Sequence, residues 1–265
     1  MKRVFITGAS SGLGEALARE YALRGARVGL LARREAALQK IAASLPNPSL
    51  HAVYAVDVND ADAVRAAAAD FVQRMGGVDI VIANAGISYG TLTERSGDLD
   101  VFERIIRTNV VATAATFAPF IDSMKAQAAA GESGLRLVGI ASVAGIRGLP
   151  GAEAYSASKA AVISYCESLR IELRRHGIRV VTIAAGYIDT PMTQVNDYPM
   201  PFLLPAHRFA QRAWRVIDAG RSYAVIPWPM RGVSWLLRAL PNWLYDALFA
   251  RAPHKPSFNE LQSRK

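Results

Sequence analysis

The sequence predicts an α/β protein built on a doubly wound parallel sheet of about seven strands, with helices on both faces. Three observations predict it. Through the first two thirds of the chain, short runs of β-branched and aliphatic residues alternate with longer helical patterns. The first of those runs passes directly into a glycine-rich turn, "TGASSGLG", that opens a helix. A length of 265 residues suits one sizeable core better than two ordinary domains, so residues 1–265 are expected to form a single domain.

The elements follow in order. "KRVFIT" (2–7) reads as a strand buried on both faces, and residues 11–23 as a helix ended by Gly25. "ARVGLLA" (26–32) is the second strand. The unit recurs, with strands at 50–56, 78–83, 135–141 and 178–184 and a seventh at 222–227. Helices are expected near 35–45, 60–75, 98–128 and 153–176. Right-handed crossovers between such strands leave ligands beyond the carboxyl ends of the sheet. After the sixth strand, "PMTQVNDYPMPFLLPAHRF" is rich in proline and large apolar residues without a strand or helix period. A substrate lid is expected there, at about 191–221, offering Met192, Met200, Phe202, Leu203, Leu204, Phe209 and Trp214 to an apolar substrate, or else covering the core. Residues 207–219 read as a helix, and 229–252 as two helical pieces broken at Pro241.

Composition narrows the function classes. The net charge is +9, but residues 201–265 carry 10 Lys and Arg against 3 Asp and Glu, so +7 of it lies in the last quarter. No zinc-ligand spacing, aromatic-basic motif or long basic run accompanies that charge, so neither a metal site nor nucleic-acid binding is expected. The segment at about 229–265 instead mixes Trp235, Trp243 and several leucines with Arg231, Arg238 and Arg251, the make-up of an interfacial helix. Peripheral membrane contact, packing on the core and a subunit contact all fit it. The first residues lack a signal-peptide apolar region, no stretch reaches the ~18 apolar residues of a membrane span, and Cys166 is the only cysteine. The expected location is therefore cytoplasmic.

Two local patterns carry chemistry. Gly8, Gly12 and Gly14 follow the first strand and precede a helix, where glycine permits a tight turn and lets backbone N–H groups approach a pyrophosphate. "AYSASKAAV" (154–162) sets Tyr155 and Lys159 four residues apart in a helical run of small side chains, so both can face one cleft. A free tyrosine has a pKa near ~10 and is a poor base near neutrality. A lysine charge at ~5 Å and an effective dielectric of ~20 favours the phenolate by about 3 kcal/mol, or roughly 2 pKa units.

Five motifs in sequence order resemble the short-chain dehydrogenase/reductase family: Thr7-Gly8-x-x-x-Gly12-x-Gly14, Asn84-Ala85-Gly86, Asn109, Ser142, and Tyr155-x-x-x-Lys159. The likeness runs from residue 2 to about 192. It departs from the family at Ala83, where an Asn often stands, and at Ala185-Gly186, where Pro-Gly is usual. The resemblance implies a Rossmann-type fold, a nicotinamide cofactor, hydride transfer between a carbonyl and an alcohol, and a homodimer or homotetramer. It implies that Tyr155 is the acid/base, that Ser142 orients the carbonyl, that Lys159 also bonds the nicotinamide ribose, and that Asn109 holds a water leading from Lys159 to solvent. For the cofactor it implies Ser10, Ser11 and Leu13 of the turn, Asp57 and Val58 at the adenine, Asn84, Ala85 and Gly86, and Gly186, Ile188 and Thr190 near the carboxamide.

At the end of the second strand, "LLARREAAL" places Arg33 and Arg34 where an acid would select NAD by bonding the ribose hydroxyls. Forked arginines suit a 2′-phosphate, so NADP(H) is the expected cofactor and NAD(H) the alternative. The expected activity is NADP(H)-dependent interconversion of a small-molecule carbonyl and alcohol. The rival readings are a dinucleotide-binding regulatory or scaffolding protein without turnover, and a sugar-nucleotide epimerase, which the glycine spacing and the short C-terminal region disfavour.

Overall fold

The computed structural model describes residues 1–252 and 254–263; Pro253, Arg264 and Lys265 of the expected C-terminal extension lie outside them. The elements in chain order are β1 (Arg3–Thr7), α1 (Gly12–Leu23), β2 (Arg27–Ala32), α2 (Glu35–Ser44), β3 (Ala52–Ala55), α3 (Ala61–Met75) and β4 (Ile80–Ala83). Then come α4 (Asp98–Ile106), α5 (Ala112–Ala129), β5 (Arg136–Ser142), α6 (Glu153–Arg174), β6 (Arg179–Ala185), β7 (Ile188–Asp189) and β8 (Leu204–Pro205). The chain continues with α7 (Ala206–Asp218), β9 (Tyr223–Ile226), α8 (Pro229–Ala239), α9 (Asn242–Phe249) and α10 (Phe258–Ser263).

Seven strands form one parallel sheet in the order β3-β2-β1-β4-β5-β6-β9, as the alternating pattern predicts. β1 is central, with Val4 opposite Val28 on one side and Ile80 on the other. The chain builds outward from β1 to β3 and then returns to start β4 on the other side of β1. That reversal opens a crevice at the carboxyl ends of β1 and β4. Helices cover both faces. One core layer holds Leu17, Tyr21, Leu38, Phe209 and Ile217, and the other holds Phe71, Phe117, Phe120 and Leu169. In the second layer the rings of Phe71 and Phe120 lie 5.3 and 4.9 Å from that of Phe5. Gly29 of β2 makes this packing feasible, because a Cβ there would stand 2.7 Å from the Phe71 ring.

Two expectations change. The helix expected over 98–128 is interrupted by a π-helical turn, Arg107–Val111, between α4 and α5. There the buried Asn109 side chain is drawn out of the regular helix to the backbone of Ile87. The lid expected over 191–221 is also shorter. Phe209, Ala213 and Ile217 of α7 are fully buried against α1, and the Arg24 guanidinium stacks 3.5 Å from the Trp214 ring centre. Phe209 and Trp214 are therefore core and helix-packing residues. Of the expected lid, Pro191, Met192 and Thr193 line the cleft, whereas Met200, Phe202, Leu203 and Leu204 do not; the short parallel pair of β7 and β8 holds the segment before α7.

Beyond β9, α8 and α9 break at Pro241 as expected. Arg147 fixes them to the loop that follows β5. Its guanidinium donates to the carbonyls of Leu237 and Leu240 at 2.6 Å and to Asn242 Oδ1 at 2.9 Å, and lies 3.9 Å from the Tyr245 ring centre. Among the described residues no helix is long and apolar enough to cross a membrane.

Candidate active site

The site begins where β1 runs out. Gly8 and Gly12 adopt φ of 67° and 58°, the left-handed region that glycine enters without strain. Gly14 serves differently. A Cβ on it would collide with the Gly8 carbonyl and stand 2.6 Å from Asn84 Nδ2, so only glycine lets α1 start this close to the sheet. Ser11, at the start of α1, makes no side-chain capping bond, which leaves the first N–H groups of the helix available to an anion. Asn84 ties the end of β4 to this turn. Its Nδ2 donates to the Thr7 carbonyl at 2.9 Å, while Thr7 Oγ1 accepts from the N–H groups of Asn84 and Ala85 at 3.1 and 3.2 Å.

The second wall comes from β5 and α6. Ser142 ends β5, and its hydroxyl donates to the Ala185 carbonyl and accepts from the Ala144 N–H, both at 3.2 Å. Tyr155 is half-buried and stands beside Ser142. Burial holds its phenol above the ordinary tyrosine range, and the Ser142 hydroxyl pulls the other way. Lys159 is 5% exposed, donates to the Ile140 carbonyl at 2.8 Å, and lies 5.8 Å from the Tyr155 ring centre. Burial lowers its pKa to about 8. The direction of the Tyr155 shift is thus set by burial and opposed by Ser142, not by the attraction expected from Lys159. The expectation counted the pair's Coulomb energy and left out the desolvation that penalises both charged forms.

Asn109 is tied into the wall by its side chain. Its Oδ1 accepts from the Ile87 N–H at 2.8 Å, and its Nδ2 donates to the Ile87 carbonyl at 3.0 Å and to Ser158 Oγ at 2.9 Å. Ser158 in turn donates to the Tyr155 carbonyl at 2.7 Å. The amide side chain is fully engaged in seating α6 against the loop after β4. Gly86 completes this corner, since a Cβ there would stand 3.1 Å from Asn109 Oδ1 and 3.6 Å from Lys159 Nζ.

At the far end, Arg34 folds back on the glycine turn, with Nη2 2.8 Å from Ser11 Oγ and 3.1 Å from Ser10 Oγ. Arg33 is exposed, its Nη1 3.9 Å from Asp57 Oδ2. Asp57 also accepts from the Asn59 backbone and side-chain nitrogens at 3.0 Å, which fixes the turn beside the buried Val58. Opposite them, Thr193 Oγ1 accepts from the Thr190 N–H at 3.1 Å and holds the loop after β6 next to Gly186 and Ile188.

All of the catalytic and cofactor-binding candidates from the sequence except Gly14 and Asn109 line one cleft of about 580 Å³ at the carboxyl end of the sheet. Those two stand directly behind it. The cleft also takes in Met192 of the expected lid, and Ile87, Tyr89, Arg104 and Arg107, which no motif marks. Lys255 was missed as well. It is a single lysine in a proline-rich tail, yet its Nζ reaches Ser88 Oγ at 2.9 Å. Among the described residues no three His, Cys, Asp or Glu side chains gather as metal ligands. The cradle of small residues, the uncapped start of α1 and the Arg34 fork fit the pyrophosphate and ribose end of a dinucleotide. The Ser142, Tyr155 and Lys159 wall fits a carbonyl or hydroxyl that exchanges a proton.

Comparison with known proteins agrees with this geometry. Residues 2–199 match the family model described as short chain dehydrogenase. An uncharacterized oxidoreductase of Myxococcus xanthus is 36% identical over 252 residues, covering 94% of this chain and 97% of that protein. The crystal structure of a short chain dehydrogenase/reductase from Burkholderia phymatum in complex with NAD is similar at a TM-score of 0.80 and 25% identity, covering 96% of this chain and 97% of that one. An alcohol dehydrogenase from the archaeon Thermococcus sibiricus, complexed with 5-hydroxy-NADP, is similar at a TM-score of 0.75 and 27% identity, covering 85% and 96%.

Proposed function

This chain belongs to the short-chain dehydrogenase family, and from that premise we propose that it reduces an apolar ketone or aldehyde, or oxidises the matching alcohol, with NADP(H) as its preferred cofactor. It is a dehydrogenase/reductase, and a nicotinamide dinucleotide is the cofactor with which its solved relatives occur. The observation that carries the reading is the shared wall of Ser142, Tyr155 and Lys159 beside the glycine cradle. The dinucleotide, when bound, supplies or accepts the hydride.

The remaining chemistry belongs to the chain. Ser142 donates a hydrogen bond to the substrate oxygen and orients it. Tyr155 passes its hydroxyl proton to that oxygen in reduction and takes it back in oxidation. Burial keeps the phenol protonated at neutral pH, which is the form that reduction needs. Lys159 offers positive charge as the proton leaves and a donor to the ribose, while Asn109 acts as a positioning residue through Ser158. Arg33 and Arg34 favour a 2′-phosphate, and Ile87, Tyr89 and Met192 favour an apolar substrate body. The exposed face carrying Trp228, Trp235, Leu236, Trp243 and Leu248 supports contact with a membrane surface or a second subunit.

A screen of ketones and aldehydes followed by NADPH absorbance tests the activity. Turnover is expected for apolar carbonyls, with a loss of ~10²-fold or more in Tyr155→Phe while cofactor affinity stays within about twofold. Cofactor binding without consumption of any carbonyl would instead mark a dinucleotide-binding regulatory protein, and near-native turnover in the Phe variant would remove Tyr155 from its role.

A further inference from the structure

The C-terminal tail crosses the mouth of the cleft. The Gly90 N–H donates to the Pro256 carbonyl at 2.9 Å, Ser257 pairs with Gly90 in a parallel bridge, and Phe258 packs edge-on against Tyr89 at 5.1 Å. Gly90 must be glycine for this, since a Cβ there would strike the Lys255 carbonyl. The tail therefore carries Lys255 inward. Its Nζ donates to Ser88 Oγ at 2.9 Å on one side of the cleft and to the Met192 carbonyl at 3.4 Å on the other, 6.0 Å from the Tyr155 ring centre. The Tyr155 ring thus has an ammonium at nearly equal distance from each of two lysines, 5.8 Å for Lys159 and 6.0 Å for Lys255.

Among the described residues nothing answers that second charge: no carboxylate lies within ion-pair distance of Lys255 or Lys159. Glu260, the acid next to it in the tail, is engaged with the Ser257 N–H at 2.8 Å. Arg104, which lines the cleft, adds another cation at this mouth, stacked 4.6 Å from the Phe258 ring centre. Burial lowers the Lys255 pKa to about 8, so it remains mainly charged at neutral pH in a place that disfavours charge. A partly buried ammonium left without a partner is destabilising unless something anionic completes it. Of its three donors, one makes a good bond to Ser88, and the long contact to the Met192 carbonyl is readily exchanged for a better acceptor.

We propose that Lys255 is a specificity-determining residue that binds a carboxylate carried by the substrate, so that the preferred substrate is an oxo acid or hydroxy acid with an apolar body. This rests on the carbonyl-reducing reading of the site and names its substrate class. Ser142 and Tyr155 take the reacting oxygen, Lys255 takes the carboxylate across the Tyr155 ring, and the apolar body lies against Ile87, Tyr89 and Met192.

Two aryl oxo acids, 2-oxo-4-phenylbutanoate and 4-oxo-4-phenylbutanoate, each paired with its methyl ester, test the proposal by turnover with NADPH and NADH. In the native protein at least one acid should exceed its ester by ~10-fold or more in kcat/KM. Lys255→Met should collapse that ratio toward one, chiefly through KM, and Lys255→Arg should retain most of it. A native ratio near one for both pairs, or a ratio unchanged in Lys255→Met, overturns the proposal. If no member of either pair is reduced, the ketone and aldehyde screen judges the carbonyl reading, and a second measurement judges Lys255 by itself. Calorimetric binding of 4-phenylbutanoate, which cannot react, should weaken ~10-fold in Lys255→Met and little in Lys255→Arg. Equal affinity in the three proteins, or no binding by the native protein at millimolar concentration, overturns it on that arm.

Discussion

Replacing Arg33 and Arg34 with alanine, singly and together, should shift cofactor choice from NADPH toward NADH. The size of the shift follows from where the two guanidinium groups stand. Arg34 is held by Ser10 and Ser11, so its fork is already in place beside the turn that receives the phosphates. Arg33 is 72% exposed and has Asp57 Oδ2 at 3.9 Å, so its charge is partly answered and strongly hydrated. A unit charge pair at ~4 Å is worth about 1 kcal/mol in bulk water and about 4 kcal/mol at an effective dielectric of ~20. Exposure puts Arg33 toward the first value and salt reduces it further, because the Debye length is about 10 Å at 0.1 M. The expected loss of NADPH affinity is therefore ~5- to 10-fold for Arg33→Ala, somewhat more for Arg34→Ala, and ~50-fold for the pair. NADH affinity should change less than about threefold. Dissociation constants from cofactor fluorescence at 25 and 300 mM salt measure this, and the NADPH loss should shrink at the higher salt. Equal weakening of both cofactors, or a native preference for NADH, would refute the argument from these arginines.

Lys159→Met should abolish most turnover yet stabilise the fold at pH 7, by on the order of 3 kcal/mol less whatever the bond to Ile140 contributes. Below pH 8 the folded and unfolded lysines are both charged and the burial penalty is complete. From about 8 to 10.5 the unfolded chain binds more protons, so native stability rises with pH and the advantage of Lys159→Met should shrink across that window in urea titrations. A Lys159→Met protein less stable than the native one at pH 7 would contradict the reading of a buried, unpaired ammonium. For the exposed face of α8 and α9, co-sedimentation with anionic vesicles should appear at low salt, weaken at high salt, and be lost when Trp235 and Trp243, 73% and 72% exposed, are both changed to serine. Failure to sediment at low salt, together with a dimer that the double variant disrupts, would assign the face to a subunit contact instead.

What was legible in the sequence was mostly what is local in the chain. The glycine turn, the Tyr155 and Lys159 pair and the two arginines each lie within a few residues of one another, and the alternation of elements then forces them to one edge of the sheet. The shortened lid was also within reach. Residues 207–219 read as a helix, and within it Phe209, Ala213 and Ile217 recur every fourth residue, the stripe of a helix packed on the core. The behaviour of Tyr155 was not legible, because the sign of its pKa shift depends on how much solvent the finished cleft removes.

Lys255 marks the boundary most clearly. It contacts Ser88 across 167 residues of sequence, and no pattern in a tail that contains Pro253 and Pro256 announces that contact. What brings it there is packing: Arg147 holds α8 and α9 to the loop after β5, and Gly90 leaves room for the tail to lie flat. In the proposed mechanism the residues that pass the proton lie in short motifs on β5 and α6, whereas the group proposed to select the substrate arrives from the far end of the chain. On that reading chemistry and selectivity are carried by separate parts of the sequence. Changes in the tail can then alter which carbonyl is accepted while leaving Ser142, Tyr155 and Lys159 where β5 and α6 hold them.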